Sequence, residues 1–341
     1  YSGYNLDEAI KWFELASEKN NHKMAQLFLG LIYLQRENFD LALIYLQKSA
    51  EQNVGQAQFN LGRVLLKISL DSKDPILQNE SFYWVHTSIS NSENDIYLRR
   101  NIIFGNNTNW LTEAEYTLGL FYKDGVGTDV NIKQALNMFY KGAIRGHIMS
   151  QKEIGYIHFK YPEYLNYSKS IFWLKKACSG GDKESPLYIA IMYFKGGYGL
   201  KQDRDLSYEY FAQCKNMKGG LAESYLGDLY VYGLCKSKRV NVSIGIKYYK
   251  IAAQHGEKVA QYRLGLFYHQ GTYPELITQS IPLAIEWYTK SAEQNYGFAQ
   301  YKLGQLYAEK KSHKNKDLAF KWLSLAIKNG YPEAQTDILK L

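Results

Sequence analysis

The sequence predicts an all-α solenoid of paired helices, and three observations lead to this fold class. Small residues that open a helical pattern recur along the chain at positions 25, 57, 114, 150, 185, 222, 260, 299 and 334. Their spacing is 32 to 39 residues, except across an insertion that precedes residue 114. Each period holds two stretches of apolar residues with helical spacing, separated by a turn. Such a period is typical of repeats that bury their apolar faces only against neighbouring repeats.

Residues 111–146 form the clearest repeat. Over 114–122, apolar and small residues recur with the 3.6-residue period of an amphipathic helix. Gly125 then interrupts the helix, because glycine tolerates the positive φ of a helix C-terminus. Helical spacing resumes over 135–143 and stops at Gly146. The repeat is therefore predicted to be a helix, a turn and a second helix.

The other repeats vary this pattern in chain order. The chain begins with a second helix alone, Leu6 to Asn20, and ends with a half repeat, Ala334 to Leu341. The pair that starts at Ala57 is irregular, with a stretched turn at 67–79 and an insertion at 91–110. The second helices of the complete pairs are marked by residues near 42, 82, 135, 172, 210, 248, 284 and 319. We expect one solenoid domain over residues 1–341.

The pattern A-x-Y-x-L-G-x-x-Y, followed by G-V-G and by A-x-x-x-Y-x-x-x-A-x-x-G, resembles the Sel-one-like repeat (SLR), a relative of the tetratricopeptide repeat. Residues 111–146 match it almost throughout, and matches continue over nearly the whole chain. The resemblance implies a right-handed superhelix of about eight SLR/TPR-like helix pairs with half repeats at both ends. It also implies a surface that binds other proteins, with no chemistry of its own.

One bacterial branch of the SLR family ties each repeat with a disulfide. The resemblance makes Ala177-Cys178 look like the first half of such a bridge, but no cysteine stands near Ser185. Cys214 and Cys235 are the remaining cysteines, so we expect one bridge or none. Four N-x-S/T triplets, at Asn79, Asn106, Asn166 and Asn241, leave glycosylation open.

Composition limits the function classes. The chain has 341 residues, 46% hydrophobic and 22% charged, which suits a folded protein with a substantial core. The net charge is +8, yet the lysines are scattered and form no basic block, so no nucleic acid partner is expected. No apolar stretch has the roughly 18 to 20 residues that a membrane helix needs. We expect no membrane span in this segment, and the oligomeric state is open.

No catalytic pattern stands out. The seven histidines lie far apart, and none forms an H-E-x-x-H motif. Gly196, Gly197 and Gly199 form a glycine-rich loop without the preceding strand and following Lys-Ser/Thr that a phosphate loop requires. The sequence therefore predicts no enzyme, no cofactor and no metal site.

By analogy with tetratricopeptide repeats, the first helix of each pair should line a concave face. Residues at three positions around each Leu-Gly pair should point inward as aromatic anchors with mixed charge, the composition of binding hot spots. The candidates are Phe59, Arg63, Tyr116, Lys123, Tyr156, Phe159, Leu187, Asp228, Val231, Tyr262, His269, Tyr301 and Gln305. The tyrosines could instead pack between repeats.

The insertion is a second candidate surface, with Tyr97, Arg99, Arg100 and Phe104. It could equally fill a gap between irregular repeats. We expect a scaffold or adaptor for another protein or peptide, exported from a bacterium (secreted, periplasmic or host-directed), with the endoplasmic-reticulum lumen or the cytoplasm as alternative locations. Two alternatives stay open: an adaptor of protein quality control in the endoplasmic-reticulum lumen, and an activating subunit of an enzyme such as chitin synthase.

Overall fold

The computed structural model describes residues 6–94, 109–237, 239–309 and 315–341. These residues form eighteen α-helices, one 3-10 turn at Pro162–Tyr164 and no strand beyond an isolated bridge between Gly197 and Leu200. The first eight helices are α1 (Leu6–Asn20), α2 (Lys23–Gln35), α3 (Phe39–Glu51), α4 (Gly55–Ser72), α5 (Pro75–Asn94), α6 (Asn109–Asp124), α7 (Ile132–Ile144) and α8 (Ile148–Lys160). The others are α9 (Tyr167–Ser179), α10 (Ser185–Lys195), α11 (Arg204–Gln213), α12 (Leu221–Val231), α13 (Val242–Gln254), α14 (Lys258–Gln270), α15 (Ile281–Ala292), α16 (Gly297–Glu309), α17 (Lys316–Lys328) and α18 (Ala334–Ile338).

The even-numbered helices are the first helices of the repeats, here called A helices, and the odd-numbered ones are the second, or B, helices. Over the described ranges they make eight A–B pairs, with α1 and α18 as half repeats. The all-α solenoid fold class is therefore confirmed. The chain divides into two compact units, unit 1 (1–157 with 179–182) and unit 2 (158–178 with 183–341). The expectation of a single domain stays a prediction.

In six of the helix pairs, a glycine of the A helix lies directly against an apolar or aromatic side chain of the B helix. A Cβ at Gly119 would lie 2.5 Å from the Phe139 ring, and one at Gly265 would lie 2.5 Å from the Tyr288 ring. Distances this short are impossible, so only glycine lets these two helices approach so closely. Phe139 and Tyr288 are fully buried as a result.

Neighbouring pairs are joined by a buried glutamine at the start of the A helix. Gln300 Nε2 donates to the carbonyl of Ala292, in the last turn of the preceding B helix, at 3.0 Å. Gln300 Oε1 accepts from Asn329 Nδ2, which follows the B helix of its own pair, at 2.8 Å. Each such amide thus satisfies an orphan helix-end carbonyl and ties three helices together.

The same arrangement, the glutamine bridge, recurs in both units. Gln58 bonds the carbonyl of Ala50 at 3.0 Å and the side chain of Asn91 at 3.0 Å in unit 1. Gln261 bonds the carbonyl of Ala253 at 3.2 Å, and its oxygen accepts from Gln294 at 2.8 Å, in unit 2. Where Glu115 replaces the glutamine, its carboxylate pairs with Arg145 instead.

The irregular pair differs from its prediction. Residues 67–72 continue α4 and 75–79 begin α5, so the turn is Lys73-Asp74 and not 67–79. Lys73 ends α4 with a left-handed φ of 57°, and Asp74 Oδ1 then accepts from the backbone N–H of Ile76 at 2.8 Å. The insertion is also shorter than 91–110, because 91–94 and 109–110 are helical.

Asparagines of the turns have a structural role. Asn166 Oδ1 accepts from the backbone N–H of Lys169 at 2.9 Å, and Asn241 Oδ1 from that of Ile244 at 3.0 Å. Both are therefore N-caps of B helices, which accounts for asparagine at two of the four glycosylation triplets. Cys178, Cys214 and Cys235 form no disulfide in the part of the chain that the structure describes.

The glutamine bridge gives a stability prediction. We expect Gln300→Ala to lower the free energy of unfolding by about 2 kcal/mol, because it leaves a buried carbonyl and the Asn329 amide without partners. Gln335 holds the same repeat position in the terminal helix α18 but is exposed. Gln335→Ala should therefore change stability by less than about 0.5 kcal/mol. Urea unfolding of both variants would measure this, and equal losses would contradict a bridging role.

Candidate partner-binding site

The most exposed concave candidate of unit 1 is Arg63 on α4. Its guanidinium carbon lies 5.5 Å from the centre of the Phe59 ring. Phe59 itself is 2% exposed and belongs to the core formed with α5 and α6, so the structure does not present its ring to a partner. Arg63 has no ion pair with any described residue within 4 Å, which leaves its charge available.

The other candidates of unit 1 connect neighbouring pairs. Lys123 Nζ lies 2.8 Å from Glu153 Oε2, and only 13% and 11% of the two side chains is exposed. The Tyr116 ring packs edge-on against His147 with centres 5.0 Å apart, and burial raises the pKa of its hydroxyl to about 12. Tyr156 is half-buried on α8. Lys123 and Tyr116 therefore hold α6 against α8 and against His147, which directly precedes α8.

Asp228 of α12 is the centre of a polar cluster in unit 2. The Tyr249 hydroxyl donates to Asp228 Oδ1 at 2.5 Å, and Arg263 Nη2 lies 3.6 Å from the same oxygen. Burial raises the pKa of Asp228, and the hydrogen bond from Tyr249 and the charge of Arg263 oppose this only in part. The carboxylate is therefore costly to keep charged where it lies.

Arg263 of α14 is incompletely satisfied. Its guanidinium carbon is 5.3 Å from the centre of the Tyr232 ring, while its Nε is buried and has no hydrogen-bond partner among the described residues. A buried donor without an acceptor costs about 1–3 kcal/mol. About 28% of the Arg263 side chain is exposed, so an incoming acceptor can reach the exposed part of the guanidinium, whereas Nε is shielded.

Two other candidates of unit 2 are largely internal. Tyr262 is 9% exposed and packs on Tyr288 with ring centres 5.8 Å apart. His269 is half-buried, edge-on to the same Tyr288 ring at 6.1 Å. Among the neighbouring row members, Val231 is 5% exposed, whereas Leu187 and Phe159 are half-buried.

Near the C-terminal end of unit 2, Asp337 joins the last two A helices. Its carboxylate accepts from Gln305 Nε2 at 3.0 Å and from the Tyr301 hydroxyl. The Tyr301 ring stacks on Tyr331 with centres 6.4 Å apart. Tyr301 and Gln305 therefore fasten α18 to α16.

The sequence reasoning missed two residues with large exposed side chains on the same face. Phe298 is 46% exposed, three residues before Tyr301, and Tyr232 is 45% exposed, four residues after Asp228. Residues three and four apart share a helix face, so one further step along each row would have found both. The Phe298 ring packs at a tilt of 59° against the Tyr331 ring with centres 4.5 Å apart, and Gly297 has no Cβ to obstruct the Tyr331 ring.

These residues form one surface, the Arg263 patch, defined by Asp228, Tyr232, Arg263, Phe298 and Tyr331. Arg263 contacts Asp228 and Tyr232 directly. The ring of Tyr262, next to Arg263 in the chain, lies 5.9 Å from that of Phe298. The patch thus runs over α12, α14 and α16 with a charged side and an aromatic side.

Other kinds of site have no counterpart in the described part of the chain. No group of three or more His, Cys, Asp or Glu residues there could hold a metal ion. None of the helices described is both long and apolar enough to cross a membrane. Tyr97, Arg99, Arg100 and Phe104 of the insertion lie outside the described residues.

Comparison with known families gives one result over most of the chain. A model of the Sel1 repeat matches residues 3–21, 23–54, 112–147, 150–182, 187–213, 220–257, 258–296 and 297–331. Residues 55–111 are not among the matched segments, although α4 and α5 form a helix pair there. Ser81 takes the place of the usual alanine in this pair, and its hydroxyl donates to the carbonyl of Gly62 at 2.7 Å.

Solved structures and curated proteins agree with this match. The protective antigen c5321 of uropathogenic Escherichia coli, which has an SLR fold, is 26% identical, with a TM-score of 0.71 over 96% of this chain and 66% of that one. A Sel1 repeat protein of Oxalobacter formigenes is 22% identical, with a TM-score of 0.72 over 99% of this chain and 91% of that one. Chitin synthase regulatory factor 4 of Schizosaccharomyces pombe is 23% identical over 255 residues, 72% of this chain and 38% of that protein. The chain spans 22% to 38% of the length of the curated relatives it matches.

Two buried tyrosines of unit 2 make a matched pair of variants. Tyr249 donates to Asp228, whereas the fully buried Tyr288 hydroxyl has no partner among the described residues. We expect Tyr249→Phe to destabilise the protein by about 2 kcal/mol, because a buried carboxylate loses a donor. Tyr288→Phe should leave stability unchanged or raise it by up to about 1 kcal/mol. Equal losses of stability in the two variants, measured by thermal or urea unfolding, would contradict a stabilising hydrogen bond from Tyr249 to Asp228.

The raised pKa of Asp228 gives a pH prediction. A carboxyl whose folded pKa exceeds its unfolded value binds more protons when folded, so its contribution to stability falls as pH rises through the window between the two values. Asp228→Asn removes this contribution and keeps an oxygen for Tyr249. The difference in unfolding free energy, variant minus wild type, should therefore increase from about pH 3.5 towards neutrality. Unfolding curves over this range measure it, and a difference that decreases with pH would refute the assignment.

Proposed function

Because the chain belongs to the Sel1 repeat family, whose repeats serve as scaffolds for protein interactions, we propose that the A-helix face of unit 2 binds a segment of another protein. The observation that carries the proposal is the Arg263 patch. It combines a partly unsatisfied arginine on α14 with large exposed aromatic side chains on either side of it, Tyr232 at the end of α12 and Phe298 on α16.

The composition of the patch supports a binding role. Tyr and Arg are enriched among the residues that dominate binding energies, provided that they become fully desolvated on binding. Tyr232 and Phe298 are each nearly half exposed, so a partner that covers them would remove apolar surface from water. The side chains are already held by Arg263 and Tyr331, and their ordering on binding therefore costs little entropy.

The charges define what a partner must provide. The Arg263 side chain is 28% exposed and its Nη2 lies 3.6 Å from Asp228, so the guanidinium can still pair with a carboxylate or a backbone carbonyl of a partner. An apolar side chain would cover Phe298. We propose a polypeptide segment with an acidic or carbonyl acceptor next to an apolar anchor. The supporting positions proposed for the patch in unit 2 are His269, Tyr301 and Gln305, with the buried Tyr262 behind them. For the A-helix face of unit 1, considered by itself, the proposed positions are Arg63, Lys123 and Tyr156, with the half-buried Tyr116 and the buried Phe59 behind them.

We further propose that this scaffold acts as an exported or host-directed bacterial protein. The support is the likeness to the Escherichia coli protective antigen over 96% of the chain. A second candidate is a regulatory subunit that positions an enzyme. The likeness to the fission-yeast chitin synthase regulatory factor, over 72% of the chain, favours this alternative.

The test compares two Phe→Asp variants of one helix pair. Phe298 lies on the A helix α16, and Phe320, which is 56% exposed, lies on the B helix α17. In affinity capture from the native source with quantitative mass spectrometry, Phe298→Asp should lose its specific partner by on the order of tenfold or more. Phe320→Asp should retain it.

Melting temperatures of both variants control for loss of the fold. Equal capture by Phe298→Asp and wild type, with the fold intact, would refute binding at the Arg263 patch. If the retained partner is an enzyme whose turnover rises with added scaffold, the regulatory alternative is supported over the exported one.

A further inference from the structure

One joint of unit 2 departs from the glutamine bridge. Glu223 of α12 stands where the A helices of the bridge carry glutamine, directly after a small residue, and it is 1% exposed. Its Oε1 accepts from the backbone N–H of Asn216 at 2.6 Å, whereas its Oε2 is buried and has no hydrogen-bond partner among the described residues. A buried carboxylate oxygen without a donor is costly, so this joint is incompletely satisfied.

The repeat register identifies the residue across this joint. In each bridge, the completing side chain stands six positions after the one that faces the A-helix glycine, as Gln294 does after Tyr288. In the pair of α12 and α13, Tyr249 faces the glycine. Six positions after Tyr249 stands His255, which is therefore the residue expected to complete the bridge with Glu223.

Unit 1 shows how a glutamate in the bridge position is satisfied. Glu115 has this position on α6, with 3% of its side chain exposed, and its carboxylate pairs with Arg145. Arg145 stands six positions after Phe139, in the register of His255. A cation thus completes the bridge when the acceptor is a carboxylate. His255 supplies that charge only when both of its ring nitrogens are protonated.

His255 already lies beside the start of α12. It is the C-cap residue of α13, and its Cβ would be 3.1 Å from a Cβ placed on Gly220, the N-cap of α12. The residue is exposed, and within 4 Å it has no ion pair with a carboxylate of the described residues. Glu257 caps α14, where its Oε2 accepts from a backbone N–H at 2.6 Å, and the adjacent Lys258 is exposed. The unsatisfied oxygen of Glu223 is therefore the better acceptor for a charged His255.

The burial of Glu223 does not prevent this contact. Gln58 and Gln300 are 1% and 0% exposed, yet each accepts from the residue in the register of His255. That residue approaches from within the joint and not from solvent. Asn91 reaches Gln58 at 3.0 Å with a side chain shorter than histidine.

The other titratable groups next to Glu223 do not provide a pH response near neutrality. Cys214 Sγ donates to a backbone carbonyl of α11 at 3.3 Å, and burial raises the pKa of the thiol to about 11, so it stays neutral. Lys215 Nζ lies 5.5 Å from the centre of the Tyr248 ring, and its hydrogen bond to Tyr248 raises its pKa. Lys218, in the same turn, is exposed. Both lysines remain charged around neutral pH.

We propose that Glu223 and His255 form a pH-sensitive link between α12 and α13, open when the imidazole is neutral and closed when it is protonated. In the closed form a ring N–H donates to Glu223 Oε2 and completes the bridge. Histidine gains its charge between about pH 8 and pH 5, so the link responds within the physiological range. Because α12 carries Asp228 and Tyr232, the link also affects how firmly one side of the Arg263 patch is held. It does not depend on what binds there, so either proposal can fail without the other.

A closed link makes the protein more stable at acidic pH. The charged histidine gains its partner only in the folded chain, so folding favours proton uptake. The contribution of the link to stability is therefore present below about pH 6.5, the usual midpoint for histidine in an unfolded chain, and is lost as the pH rises.

The experiment measures urea unfolding of the whole chain at about pH 8 and about pH 5.5. From the higher to the lower pH, the unfolding equilibrium constant of His255→Asn relative to wild type should rise on the order of tenfold. Glu223→Gln should show the same rise, and the double variant no larger one, because each change removes the same link. Both variants introduce residues that other joints carry in the same register, so we expect them to fold. His86→Asn, at an exposed position of α5, should change its ratio by less than about twofold.

Three results would overturn the proposal. A ratio that rises for Glu223→Gln but not for His255→Asn would mean that the glutamic acid titrates alone. Rises that add in the double variant would mean that the two residues act separately. An equal rise for His86→Asn would assign the effect to histidine charge in general and not to this joint.

Discussion

A buried side-chain amide in the first turn of an A helix, at the fourth residue, is the interaction on which this architecture depends. Helix ends leave carbonyl groups without partners, and in a stack of helix pairs some of these ends are covered by the next pair, away from water. The glutamine bridge supplies a partner for such a carbonyl, since one side-chain amide donates to the preceding B helix and accepts from the residue that follows the next B helix. Because the donor and acceptor distances fix the offset between pairs, the bridge also aligns the A helices that carry the Arg263 patch.

The helix pairs could be predicted from the sequence, because closely packed helices require small and large residues at regular spacing. Gly119 and Phe139 are an example, since a Cβ at residue 119 would lie 2.5 Å from the Phe139 ring and a glycine is required opposite this large side chain. The irregular pair was misread for a physical reason. Serine is a small residue that usually avoids burial, but the Ser81 hydroxyl returns its hydrogen bond to the carbonyl of Gly62 and so replaces alanine without cost to the packing. The expectation of a long turn at 67–79 was wrong for a similar reason, because polar residues can continue the exposed face of a helix.

The partner-binding surface was harder to predict from the sequence, because the exposure of a side chain depends on residues that are distant in sequence. Phe59 has the spacing of a surface anchor, yet Trp110 of the next pair lies against it with ring centres 6.5 Å apart. Lys123 and Asp228 have the charges of a binding groove, but each meets an opposite charge on the neighbouring A helix. A periodic pattern gives the face of a helix and not the side chain that covers it.

The short reach of the glutamine bridge affects how the chain acquires its structure. The donor and the backbone acceptor are eight residues apart, and the side-chain partner follows about thirty residues later. Such contacts close small loops, whose entropic cost is low, and proteins rich in them have low contact order. Folding can therefore start at any well-formed pair and spread to its neighbours, and a pair can be lost at either end without disturbing the bridges farther in.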